Sequence, residues 1–210
     1  MSRSNAVLRV LPAIGRPSNR YVARAIFAAA ILCAGSLVAG AKPLESKWEF
    51  SVNSGRLFSA GTQPNVIKGA DYTAAQLAYI LRPNLAITGS LGWARSRDIS
   101  ATASPKLDIF TYDIGAEARA DKRSLGSGIV FNPFLGMGAG ARSYSYRDLP
   151  ISTTHDPAGY VSAGGEFGYH RIRVRLEVRD YVTGFKPLNG AGGTELRNDM
   201  TVMAGLRLVQ

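Results

Sequence analysis

The chain has 210 residues, 46% of them hydrophobic, with 23 glycines and a formal charge of +10. That apolar share excludes a disordered chain, and a single cysteine, Cys33, excludes a disulfide framework. Arg3, Arg9, Arg16, Arg20 and Arg24 precede the first acid, Glu45; setting these 5 of the 25 basic residues aside leaves 20 against 15 acidic, or +5. This is an ordinary surface charge, and no basic-helix or zinc-knuckle pattern points to nucleic acid.

The arginines open an N-terminal leader. Residues 25–41 form an apolar run that ends in the small residues Ala39-Gly40-Ala41. A basic start, an apolar core and a small-residue end make a secretory signal peptide, with cleavage expected after Ala41. The run is short for a membrane helix, which needs about 20 residues. Cys33 follows Leu32, where lipoprotein processing needs a small residue. Residues 42–210 are then one exported domain.

From there the recurring signal is alternation with period two, which places successive side chains on opposite faces of a strand. The first predicted strand opens with Trp48, Phe50 and Val52 against Glu49, Ser51 and Asn53. The second, near 72–82, carries Leu77, Tyr79 and Leu81 on one face. The third sets Leu85, Ile87, Leu91 and Trp93 against Ala86, Thr88, Ser90 and Gly92. The fourth sets Phe110, Tyr112, Ile114, Ala116 and Ala118 against Asp113, Gly115, Glu117 and Arg119.

The fifth sets Leu135, Met137, Ala139 and Ala141 against Gly136, Gly138, Gly140 and Arg142. The sixth sets Val161, Ala163, Phe167 and Tyr169 against Ser162, Gly164, Glu166 and Gly168. The seventh is the clearest, with Ile172, Val174, Leu176 and Val178 against Arg171, Arg173, Arg175, Glu177 and Arg179. The last sets Met200, Val202, Ala204, Leu206 and Leu208 against Asp199, Thr201, Met203, Gly205 and Arg207.

Eight strands result, each long enough to cross a bilayer when tilted, which takes about 9–11 residues. The links alternate in length. Residues 54–71, 97–106, 143–157 and 180–197 are long or moderate; Arg82-Pro83-Asn84 and His170-Arg171 are tight turns; 121–128 is intermediate. An even strand number with long links on one side and short turns on the other suits a transmembrane barrel.

Alternation alone does not choose between a soluble barrel, apolar inside, and a membrane barrel, apolar toward lipid; the leader and the links favour the second. Trp48, Tyr79, Trp93, Phe134, Tyr169 and Tyr181 fall near predicted strand ends, as an interfacial aromatic girdle would. The small residues of the polar faces make room for long side chains inside.

Several segments resemble known sequences. These are Pro133-Phe134-Leu135-Gly136-Met137-Gly138-Ala139-Gly140-Ala141, the run from Ala163 to Tyr169, the run from Arg175 to Tyr181, and the ending Met203-Ala204-Gly205-Leu206-Arg207-Leu208. The chain is similar to the OmpA/OmpX-like class of small outer-membrane barrels. The resemblance implies an all-β, eight-stranded, antiparallel up-and-down transmembrane barrel in the cell outer membrane, contacting lipid and lipopolysaccharide and inserted by the barrel assembly machinery. Such proteins usually end in an aromatic residue; this one ends in Val209-Gln210. The expected product is a monomeric barrel alone, with no peptidoglycan-binding domain.

The chemistry-bearing residues lie on the face turned inward in this arrangement: Asp113, Glu117, Arg119, Arg142, Glu166, Arg173, Arg175, Glu177, Arg179 and Asp199. Isolated charges there are costly, so they should pair into a network that fills the barrel. No catalytic residue, metal or cofactor is expected. His155 and His170 fall in separate elements, and no motif ties them to Ser152 or Ser162. Gly136-Met137-Gly138-Ala139-Gly140 does not lead into a helix, so it is no dinucleotide loop. The expected role is structural or surface-interacting, through loops that include Ser143-Tyr144-Ser145-Tyr146-Arg147. A narrow pore, a soluble periplasmic barrel holding an apolar ligand, and a lipid A-modifying enzyme stay open as alternatives.

Overall fold

A computed structural model describes residues 47–60, 66–169, 171–186, 188 and 194–209. The predicted leader, residues 1–41, lies outside them. The strands are β1 (Trp48–Ala60), β2 (Ala70–Arg82), β3 (Leu85–Arg97), β4 (Lys106–Arg119), β5 (Arg123–Gly126), β6 (Ile129–Tyr146), β7 (Thr154–Tyr169), β8 (Ile172–Phe185) and β9 (Glu195–Val209). Each long strand pairs antiparallel with its neighbours, and β1 pairs with β9, so eight of them close into an up-and-down barrel. The short β5 adds only to β6.

The register fixes the barrel's shape. Stepping from Tyr144 through its paired partners Ile109, Ala94, Tyr72, Gly55, Met203, Glu177 and Gly164 returns to β6 at Phe134. The end point, 134 against 144, lies ten residues from the start, which is the shear of the barrel. Eight strands with that shear tilt by about 40°. A strand of 13 residues, such as β1, β2 or β3, then rises about 33 Å, enough to exceed an apolar band of about 25 Å.

Three predicted links are shorter than expected. The strands run on through residues 54–60, 143–146 and 180–185, because the alternation continues there with its polarity reversed. At the long-loop end Leu57, Tyr144, Tyr146 and Phe185 point inward and are buried, while Arg56, Asp71 and Arg95 face out and are exposed. The apolar residues thus change from the outer to the inner face between the two halves of the barrel. Leu57, Ile67, Tyr72, Leu107, Ile109, Tyr144, Tyr146 and Phe185 form an apolar cluster in this half of the interior.

At the opposite end the turns are tight. Arg82 pairs with Leu85 around Pro83-Asn84, and Tyr169 pairs with Ile172. The intermediate fourth link is itself a hairpin. Gly126 pairs with Ile129, and both residues between them, Ser127 (φ 50) and Gly128 (φ 76), have positive φ. Two such residues make a type I′ turn, whose twist matches that of the strands.

Candidate functional site: the charged interior

In the short-turn half the faces are as the alternation dictates. Ile172, Val174 and Leu176 are exposed on the outer wall, whereas Arg175, Glu177 and Arg179 are buried within the barrel. Ile114 and Leu135, 67% and 65% exposed, face outward beside the buried Asp113, Glu117 and Phe134.

The inward side chains meet across the lumen. Arg175, 0% exposed, binds three carboxylates at once: Nη2 lies 2.6 Å from Glu117, Nη1 2.7 Å from Glu166 and Nε 3.0 Å from Glu177. Phe134 lies flat beneath its guanidinium, 3.6 Å from the ring centroid. Arg207 joins the same acids, 2.7 Å from Glu166 and 3.2 Å from both Glu117 and Glu49, and donates to the Gln76 side-chain oxygen at 2.7 Å. Arg119 pairs with Glu117 and Glu49, each at 2.7 Å, and Arg173 reaches Glu166 at 3.3 Å.

The network continues along β8. Arg179 contacts Glu177 at 2.8 Å and Asp113 at 3.2 Å, and stacks on Tyr160 with its carbon 4.2 Å from the ring centroid. The Tyr181 hydroxyl donates to Asp113 at 2.6 Å. Farther toward the long loops, Arg142 and Arg197 both bind Asp199, and Arg142 stacks on Tyr181 at 4.1 Å. Seven arginines and six carboxylates interleave here with tyrosines and amides. Ion pairing on this scale offsets part of the desolvation cost, although Arg142 Nε and Nη2, Arg197 Nη1 and Arg207 Nε are buried without a hydrogen-bond acceptor.

All ten residues predicted for the network therefore lie inward. The register brings Glu117, Glu166, Arg175 and Glu177 together and leaves Arg142 with Asp199 in a separate cluster. Glu49, Arg197 and Arg207 are further members. Glu49 and Arg207 sit on the polar faces already read from the sequence; Arg197 falls in a segment read as a loop. The aromatic girdle needs correction at two positions. Phe134 and Tyr181 are buried inside, where they stack under Arg175 and Arg142, because a flat ring fills space beside a guanidinium and solvates it. Trp48 and Tyr79 do face outward, their ring centroids 4.7 Å apart.

The long-loop end is tied together by Asp98, which is fully buried. It accepts hydrogen bonds from the Ser100 backbone at 2.9 Å, the Tyr146 hydroxyl at 2.7 Å and the Leu188 backbone at 3.3 Å. One carboxylate thus joins the link after β3, the end of β6 and the link after β8. Of the histidines, His170 lies outside the described residues. His155 Nδ1 is 2.6 Å from Ser143 Oγ, a contact directly across β6 and β7 rather than with Ser152 or Ser162. Among the described residues no group of three His, Cys, Asp or Glu side chains is placed to hold a metal.

No protein-family model matches the sequence, and no curated protein sequence does. The crystal structure of Neisserial surface protein A matches with a TM-score of 0.55 and 15% identity, over 79% of this chain and 98% of that one. The chain has that protein's fold, a small closed eight-stranded antiparallel barrel. The N-terminal β-barrel domain of Pseudomonas aeruginosa OprF (TM-score 0.47, 11% identity, 78% and 97% covered) and Ail of Yersinia pestis (0.38, 14%, 77% and 96%) are more distant matches. At such identities the likeness speaks for architecture only, and the chemistry of the site rests on the residues described above.

Proposed function

We propose that this protein is an integral outer-membrane barrel, exported with loss of residues 1–41, whose interior is a structural plug and whose long loops form a surface for interaction. The carrying observation is the pairing of faces on one strand: Ile172, Val174 and Leu176 bare on the wall, Arg175, Glu177 and Arg179 buried and ion-paired within. In water that wall is an exposed apolar belt far larger than soluble proteins tolerate; in lipid it is the required surface. The tying of two links and the end of β6 by Asp98 supports a formed surface at the long-loop end rather than loose tails.

Cysteine labelling on whole cells tests both placement and orientation. A cysteine replacing the exposed Ser152 should react with a membrane-impermeant maleimide from outside. One replacing Ser124, in the hairpin at the opposite end, should react only after permeabilisation. Recovery of the protein in the soluble periplasmic fraction, or the reverse labelling, would overturn the reading.

A further inference from the structure

The ion pairs of the interior balance in one half of the barrel and not in the other. Toward the short turns, five arginines pair among Glu49, Asp113, Glu117, Glu166 and Glu177. Toward the long loops, Arg142 and Arg197 share the one carboxylate of Asp199. All three are buried, at 0%, 2% and 0% exposure. Two further acids lie near this level. Asp98 is engaged above the apolar cluster by Tyr146 and two backbone amides. Asp156, half-buried and opposite Arg142 in the β6–β7 ladder, makes no ion pair among the described residues. The cluster of Arg142, Arg197 and Asp199 is therefore left with one positive charge.

The hydrogen bonds mark the same place. The Nε and Nη2 atoms of a guanidinium form an edge that grips an anion at two points. Arg175, Arg179 and Arg197 each set this edge against carboxylates. Arg142 gives Asp199 only its Nη1; its Nε and Nη2 are buried with no acceptor, and so is Arg197 Nη1. Arg207 lacks an acceptor at Nε alone, and three carboxylates already meet its charge. Across β4 from Arg142, the Thr111 and Tyr72 hydroxyls are 2.7 Å apart; their mutual bond uses one proton and leaves the other to donate. We propose that a small monovalent anion, of the size and charge of chloride, binds the Nε–Nη2 edge of Arg142 and completes this half of the plug. A water accepts hydrogen bonds but leaves the charge unmet, and an uncompensated charge inside a closed barrel is costly. Because Arg142 is fully buried, the anion enters as the barrel folds. The inference adds a ligand to the interior and rests on its reading as a closed, ion-paired plug, not on the outer-membrane placement.

The test refolds the protein in detergent micelles with potassium bromide, chloride or gluconate at one ionic strength. Crystals grown in bromide should show an anomalous peak against Arg142 Nε and Nη2. The unfolding equilibrium in urea should shift at least threefold toward the folded state in bromide or chloride over gluconate, as a ligand of the folded state requires. Arg142→Gln, which leaves one cation to one acid, should remove that difference. Arg56→Gln, on the outer wall, should keep it and so controls for general salt effects. Faster gel migration without boiling certifies that each variant is folded; if Arg142→Gln fails that check, the bromide map of the parent decides instead. An interior without a peak, surface peaks only (an adventitious ion only), no halide difference in the parent, or an equal difference in folded Arg142→Gln overturns the proposal. A halide difference that arises only in Asp156→Asn would also overturn it, by showing that Asp156 swings in to complete the edge. Labelling from the wrong side in whole cells would instead count against the placement, so the two failures are distinguishable.

Discussion

Arg175 of β8 and Glu117 of β4 meet across the barrel, Nη2 to Oε2 at 2.6 Å, although 58 residues separate them in sequence and they lie on strands that are not neighbours. The contact spans the lumen rather than following a ladder, so it braces the cylinder from within. Removing one partner of a buried pair leaves a stranded charge and costs about 3–5 kcal/mol, whereas replacing a pair by apolar groups of similar size is often neutral. Glu117→Ala and Arg175→Ala should each lower unfolding free energy by that amount, measured by urea titration of the barrel in micelles. Arg175→Met in the Glu117→Gln background should recover part of the loss. Additive losses in the double variant would show that the two residues do not act on each other.

Leu176 and Glu177 are adjacent on β8 but face the outer wall and the lumen respectively, so in the proposed placement Leu176 meets lipid. A cation at Leu176 has no acceptor within reach of the outer wall, and near the bilayer midplane an arginine there costs about 2–4 kcal/mol. Leu176→Arg should therefore reduce the folded fraction in lipid vesicles, seen as loss of the fast-migrating band on unboiled gels. Leu176→Val should leave it unchanged. If Leu176→Arg folded as well as the parent, lipid would not be the neighbour of this face.

The barrel was legible in the sequence wherever lipid and lumen impose opposite demands on alternate residues. On β8 and β9 the two faces separate, with Arg175, Glu177, Arg179, Asp199 and Arg207 buried, whereas Arg171, read on the same face, lies exposed in the turn before β8. Legibility ended where the strands leave the bilayer. Leu57, Tyr144 and Phe185 are apolar because they face the interior of a segment bathed in water, so the rule that reads greasy residues as outward fails there, and segments 54–60 and 180–185 look like loop. Tyr181 was misread for that reason. Phe134 was misread for another: its place near a strand end was weighed above the alternation of its own strand, in which the outward Leu135 turns Phe134 inward, where it serves as a platform for a guanidinium. Which arginine finds which glutamate was not legible either, because the shear of ten decides which residues share a level.

Gly164 illustrates how tightly the platform is built. A Cβ at this position would lie 2.4 Å from Phe134 Cζ and 2.2 Å from the Leu176 carbonyl oxygen. Backbone cannot withdraw, and the ring is pinned beneath Arg175. Overpacking of this kind costs about 1–3 kcal/mol. Gly164→Val should lower stability within that range in the same urea titration. Gly89, whose added Cβ would meet nothing within 4 Å, should tolerate alanine with a change under about 0.5 kcal/mol.

A lumen filled by paired side chains should not conduct. An eight-stranded interior is just wide enough for side chains, and here Arg142, Arg175 and Arg207 are fully buried within it. The apolar cluster of Leu57, Ile109, Tyr144 and Phe185 lies above them. In planar bilayers the protein should give no discrete current steps at either polarity in molar potassium chloride. Reproducible steps would mean that the ionic network opens and would restore the pore alternative.

Arg142 and Asp199 should respond unequally to substitution. Asp199 binds two guanidiniums, with Arg197 Nε at 3.1 Å and Arg142 on its other oxygen. Among the described residues Asp199 is the carboxylate found against either arginine, and both arginines also rest on rings, Arg142 on Tyr181 and Arg197 on Phe185. Arg142→Ala leaves Asp199 with Arg197, so the carboxylate stays paired and the loss is chiefly of stacking and packing. Asp199→Ala leaves two buried cations facing one another with no acid between them. Asp199→Ala should thus cost about 3–5 kcal/mol and Arg142→Ala clearly less, and replacing both should cost no more than Asp199→Ala alone, because Arg142 is then no longer stranded. A larger loss for Arg142→Ala than for Asp199→Ala in urea titration would show that the stack on Tyr181, rather than the shared carboxylate, holds this end of the interior together.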